Sequence, residues 1–175
     1  MSKTKLSSTL AKQKLIELKN LYQQPPNPNI IPNKLYHYVR ENQRKLIEEA
    51  INKIKKDGLK VANPRDTTSI IDDKTQRPAG IYFWGQPIKD EIHIEVEIDD
   101  LNLNQLYAFP HQIADTILKI NQNYILPNNF WAKLKKIAQP IPFSEYKGQF
   151  RAEFIYTVDI SPELLKINSK PLVTS

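Results

Sequence analysis

Ala11, Leu15, Leu18 and Tyr22 form one apolar stripe at helical spacing, with lysines around the rest of the cylinder, and predict an amphipathic helix over residues 5–23. The segment Gln23-Gln24-Pro25-Pro26-Asn27-Pro28-Asn29 ends it, because three prolines remove backbone donors and fix φ, and it reads as a linker into the main domain. Lys34-Leu35-Tyr36-His37-Tyr38-Val39 has the aromatic and β-branched content of a strand. Residues 42–57 form the clearest helix. Leu46, Ile47, Ala50, Ile51 and Ile54 repeat at helical spacing, and Lys53, Lys55 and Lys56 lie near its C-terminal end, where the helix dipole favours cations. Gly58 stands where a left-handed C-terminal cap is expected.

After a polar loop around residues 63–69, Gly80-Ile81-Tyr82-Phe83-Trp84-Gly85 reads as a strand bracketed by glycines. Ile92, Ile94, Val96 and Ile98 alternate with His93, Glu95 and Glu97, the period of a half-buried strand. Helical patterns follow at 111–122 and 129–138, and Pro140-Ile141-Pro142 breaks the second. The last strand is expected over 149–158, and Ile160-Ser161-Pro162-Glu163-Leu164-Leu165 after it as a short turn of helix. No internal repeat is evident. The order of elements predicts an α+β fold with a largely antiparallel or mixed sheet and flanking helices. Residues 1–33 read as a basic helix and proline-rich linker, and residues 34–175 as the main domain.

Composition narrows the function classes. With 175 residues, 40% hydrophobic and 25% charged, the chain is globular and long enough for one sizeable core. No stretch approaches the ~20 apolar residues that cross a bilayer, and the basic N-terminus is not followed by a secretory apolar region, so a cytoplasmic protein without membrane contact is expected. There are no cysteines, which excludes disulfides and thiolate chemistry. The three histidines lack metal-ligand spacing, the four glycines form no phosphate-binding loop, and no serine nucleophile elbow occurs, so no metal site is expected. Asp72-Asp73 and Asp99-Asp100 read as turn residues, since neighbouring strand residues point to opposite faces. The net charge of +6 favours an anionic partner. Lys3, Lys5, Lys12, Lys14 and Lys19 mark the N-terminal helix as an electrostatic handle.

Three polar residues remain inside strand-like segments: His37 between two tyrosines, Tyr82 in the glycine-bracketed strand, and Glu153 between Ala152 and Phe154. Each alone is compatible with a packing or solvent-facing role. In chain order, Leu35-Tyr36-His37-Tyr38, Gly58-Leu59, Gly80-Ile81-Tyr82-Phe83 and Glu153-Phe154-Ile155 leading into Ile160-Ser161-Pro162-Glu163-Leu164-Leu165 resemble the ADP-ribosyltransferase superfamily. The resemblance is to its His–Tyr–Glu branch, which includes bacterial toxin-like and poly(ADP-ribose)-polymerase-like enzymes. It covers about residues 34–166 and departs at Tyr38, where polymerase-like members have glycine.

The resemblance implies a split mixed or antiparallel sheet with flanking helices, and NAD as substrate. His37 would hydrogen-bond a ribose hydroxyl of the nicotinamide half. Tyr82 would stack on the nicotinamide ring. Glu153 would bond the ribose 2′-hydroxyl and stabilise the oxocarbenium-like state. Tyr38, with Trp84 and Tyr36, could line the nicotinamide slot or pack the core. Arg65 and Thr67, in a loop with Thr68 and Ser69, could cover the NAD pyrophosphate, and Arg40 is a similar candidate. The toxin-like pattern implies mono-ADP-ribosylation of a nucleic-acid or protein acceptor, in a toxin–antitoxin or phage-defence setting where an antitoxin or other inhibitor protein docks. The competing reading is a non-enzymatic nucleic-acid- or partner-binding module with a degenerate form of the fold. A third, an RNA 2′-phosphotransferase on the same fold, calls for clustered arginines.

Overall fold

The computed structural model describes residues 3–39, 44–61, 78–87 and 92–168. The first long helix, α1 (Ser8–Tyr22), starts later than its apolar stripe implies, because the Ser7 side chain accepts the Leu10 N–H and caps it. Before it, β1 (Thr4–Lys5) pairs in parallel with β6 (Tyr124–Ile125). The prolines then end the helix as expected, and the segment that holds them is tied down. Gln24 N–H donates to the Gln149 carbonyl at 3.2 Å and Asn27 N–H to the Gly148 carbonyl at 3.1 Å. Gly148 sits at φ 78°, and a Cβ there would overlap the Asn27 backbone, so glycine is required on both counts.

Helix α2 (Arg44–Asp57) ends at Gly58, whose φ of 79° is the left-handed cap expected of it. The strands β2 (Lys34–Tyr38), β3 (Ile81–Trp84) and β4 (His93–Glu97) fall where residue content, bracketing glycines and alternation, respectively, put them. Five strands were not anticipated: β5 (Leu106–Pro110), β9 (Leu165–Asn168) and the two-residue strands β1, β6 and β7 (Ile141–Pro142). The segment 160–165, expected as a short turn of helix, is a single 3-10 turn at Pro162–Leu164 with the proline at its start, and it feeds β9. The last predicted strand is shorter than 149–158 and forms β8 (Ala152–Tyr156). Helices α3 (His111–Asn123) and α4 (Asn128–Ile137) match their patterns. The proline pair after α4 makes a two-residue edge strand, β7 (Ile141–Pro142), a place where a missing N–H does no harm.

Seven strands form one sheet in the order β7-β5-β8-β3-β2-β4-β9, with every pairing antiparallel, and β1-β6 is a separate parallel pair. The fold is therefore α+β. Its sheet divides the interior into two cores. On one face Phe109, Ile155 and Tyr82 pack with Leu18 of α1, Ile113 and Ile117 of α3, and Phe130 and Leu134 of α4. On the other, Leu35, Phe83, Ile94, Val96 and Phe154 pack with Ile51 of α2 and with Tyr146 and Phe150. Leu18 is fully buried, so α1 is built into the same layer as α3 and α4. No described helix is long and apolar enough to cross a membrane.

Candidate functional site

The centre of the sheet is where its pairing is weakest. β2 and β4 are in register over five residue pairs and β3 and β8 over four, but β2 and β3 meet in register only at Tyr36 and Trp84. Away from that pair a side chain bridges the two strands: His37 Nδ1 lies 2.8 Å from the Tyr82 carbonyl oxygen. A carbonyl only accepts, so Nδ1 carries the proton, and in the neutral ring Nε2 is left as an acceptor. Burial lowers the His37 pKa from its ordinary value, with the bond to the Tyr82 carbonyl opposing part of that shift.

A histidine whose folded pKa lies below its unfolded value gives a definite linkage sign. Above the unfolded pKa, near 6.5, both states bind the ring neutral and His37 adds no pH dependence. As pH falls through that value towards the folded pKa, the unfolded chain takes up the proton first and stability drops. Urea unfolding midpoints between pH 7.5 and 5.5 should fall more steeply for the wild type than for His37→Gln. Equal slopes would contradict the assignment.

The register sorts the candidate residues by face. Paired residues in antiparallel strands share a face, so Tyr36, Trp84, Glu153 and Phe109 form one cross-strand row. Tyr82 pairs with Ile155 on the same face, which makes Tyr82 and Glu153 diagonal neighbours, roughly 7–8 Å apart by strand geometry. Tyr38, opposite His93, shares that face, and its hydroxyl donates to the Gln86 carbonyl at 3.1 Å. His37 pairs with Ile94 on the opposite face, with its ring 5.7 Å from that of Phe83. The structure thus brings Tyr82, Tyr38 and Glu153 to one face, and His37 reaches them only through the Tyr82 backbone. The Tyr82 hydroxyl donates to the Pro78 carbonyl at 3.1 Å, which holds its ring in place.

Glu153 is largely enclosed, with 13% of its side chain accessible. His111, the first residue of α3, stands over it with Nδ1 3.7 Å from Oε2, close enough for an ion pair once the imidazole is protonated. The His111 ring also meets Trp84 edge-on, with centroids 4.5 Å apart and planes at 85°. Its position is set by the backbone, because His111 N–H donates to the Arg151 carbonyl at 3.1 Å just ahead of β8. Beside this cluster opens a cavity of about 330 Å³, walled by residues 29–32 and 84–87 together with His111, Arg151 and Tyr146.

His111 and Arg151 were not singled out from the sequence as site residues, whereas Trp84 was named there as lining the nicotinamide slot or packing the core. Their convergence depends on β5 and β8 pairing, which brings the start of α3 to the start of β8. Arg65 and Thr67, and with them Arg40, lie outside the described residues. Among the described residues, no three His, Asp or Glu side chains are grouped to hold a metal ion. No family model matches the chain, and neither a curated protein nor a solved structure matches it.

Proposed function

We propose that the chain is an NAD-dependent mono-ADP-ribosyltransferase of toxin-like type, acting on a nucleic-acid or protein acceptor. The observation that carries this reading is the origin of His37, Tyr82 and Glu153 on β2, β3 and β8, three strands that are consecutive neighbours at the split of one sheet. Residues separated by more than a hundred positions thereby stand on neighbouring strands, Tyr82 and Glu153 on one face and His37 on the other, joined through the Tyr82 carbonyl.

In this reading the bond between nicotinamide and ribose C1′ breaks and its electron pair leaves with neutral nicotinamide. The sugar passes through an oxocarbenium-like state, and the acceptor nucleophile forms the new bond at C1′ while losing its proton. Glu153 sits in an aromatic and largely water-excluded setting, where a fixed carboxylate stabilises developing positive charge more than it could in bulk water. Tyr82, on the same face, offers a ring for nicotinamide, and His37 presents Nε2 as an acceptor for a ribose hydroxyl. Tyr82→Ala should raise the KM for NAD about tenfold while changing kcat less, measured as nicotinamide release. An unchanged KM would remove Tyr82 from the site.

The non-enzymatic reading draws on a specific feature: the pairing of His37 with Ile94 sets it on the sheet face opposite Glu153. Under that reading NAD is not consumed, and Glu153→Gln, His37→Gln and Tyr82→Ala leave partner binding unchanged.

A further inference from the structure

Charge is distributed very unevenly over this fold. Residues 3–22 and 111–138, which supply α1, α3 and α4, contain nine lysines against Glu17 and Asp115. That is a net charge of +7, whereas the remaining sixteen basic residues are outnumbered by seventeen carboxylates. The whole positive excess of the chain therefore lies in these two segments, which supply β1 and the layer of helices on one side of the sheet.

Packing decides which way those lysines point. Leu18 on α1, Ile113, Ile117 and Ile120 on α3, and Phe130, Trp131, Leu134 and the adjoining Ala138 at the end of α4 all face inward. Lys12, Lys19, Lys119, Lys133 and Lys136 are exposed. Lys12, Ile16 and Lys19 stand at i, i+4 and i+7 on one outward line of α1, and Lys133 and Lys136 stand at i and i+3 on α4. The packing of α1 against both α3 and α4 places these rows in one layer of helices. Within this layer the ion pair Lys14–Glu17, at 3.3 Å, engages the only carboxylate of α1 and leaves Lys12 and Lys19 to face solvent.

We propose that the outer face of the α1–α3–α4 layer docks a nucleic-acid strand through its phosphates, independently of base sequence. Regularly spaced ammonium groups on rigid helices complement a polyanion of regularly spaced charge, and lysine acts there as a point charge. The exposed apolar neighbours Ile16 and Leu118 lie among these lysines but offer no hydrogen bonds to base edges, so contact is with the backbone. Helix α3 belongs to this face and also begins with His111 against Glu153, which connects the docking surface to the candidate site. The identification of the strand as the acceptor rests on the proposed transferase activity; the docking itself does not.

The test is fluorescence anisotropy of the full chain with labelled 20-nucleotide single-stranded DNA and RNA over a salt series, without NAD. Five engaged lysines give a slope of log K against log salt of about −3.5. The combined change of Lys12, Lys19, Lys119, Lys133 and Lys136 to Gln should flatten that slope and lower affinity at least tenfold at low salt. Lys53→Gln with Lys56→Gln, exposed on α2, should leave both unchanged. A wild-type slope near zero would overturn the proposal. So would equal losses in the two variants, or binding to phosphatidylglycerol vesicles without binding to oligonucleotide. Glu153→Gln should bind as the wild type does, so intact binding with no NAD consumption by the wild type would refute the transferase reading and leave the docking surface standing.

Discussion

Glu153→Gln should fold as the wild type does and lose about 10²–10³ in the rate of NAD-dependent transfer. The substitution keeps the shape of the side chain and removes its charge. Stability should change little, because the carboxylate meets His111 at 3.7 Å, an interaction that depends on protonation of the imidazole, and the flanking rings of Trp84 and Phe109 remain in place. A role that was only structural would show the reverse: lower unfolding midpoints with kcat unchanged. Comparison of kcat with the urea midpoint for the same preparation separates the two. A drop in kcat with KM for NAD held constant would assign the carboxylate to the transition state and not to ground-state binding.

Phe83→Ala should be the most damaging single change in the sheet, at about 3–5 kcal/mol of stability. Phe83 is fully buried, pairs across strands with Phe154, and meets the His37 ring edge-on at the junction of β2 and β3. Strand register supplies little cohesion there, so packing of this ring carries the junction. A loss of that size is a large fraction of the ~5–15 kcal/mol that holds an ordinary domain together. Urea unfolding should show a lower midpoint with a similar slope. A loss under about 1 kcal/mol would mean that the two halves of the sheet are held together elsewhere.

Local pattern was enough to locate α2, because one apolar stripe, a cationic end and a terminal glycine all agree there. It also located β2 by its aromatic and β-branched content, β3 by its bracketing glycines and β4 by its period of two. β5 escaped because Leu106, Ala108, Phe109 and Pro110 are all buried and only Tyr107 is partly open, so no period of two survives. β9 escaped because Leu165–Asn168 is a short edge segment whose strand character comes from pairing with distant β4. The same non-locality hid His111. Nothing near Pro110 in sequence announces a partner for Glu153, and only the five-pair register between β5 and β8 brings α3 over it. His37 shows the converse, a residue identified by its neighbours in sequence whose face was set by β4 and whose ring was captured by the Tyr82 carbonyl.

The basic N-terminal helix likewise proved to be one third of a larger arrangement. Its lysines stand out in the sequence, and the burial of Leu18 against α3 and α4 places them in the same helical layer as Lys133 and Lys136. That packing is why the electrostatic surface belongs to the folded domain and not to a detached tail.

The most direct measurement is a transfer assay with NAD labelled on the adenylate phosphate, run with wild type and Glu153→Gln on mixed protein, DNA and RNA. The account predicts label in one acceptor fraction, with release of nicotinamide, and loss of at least 99% of both with Glu153→Gln, in line with the ~10²–10³ expected for removing such a pre-organised group. Label transferred equally by both proteins would contradict the role of Glu153. No label and no nicotinamide from the wild type would contradict the transferase itself.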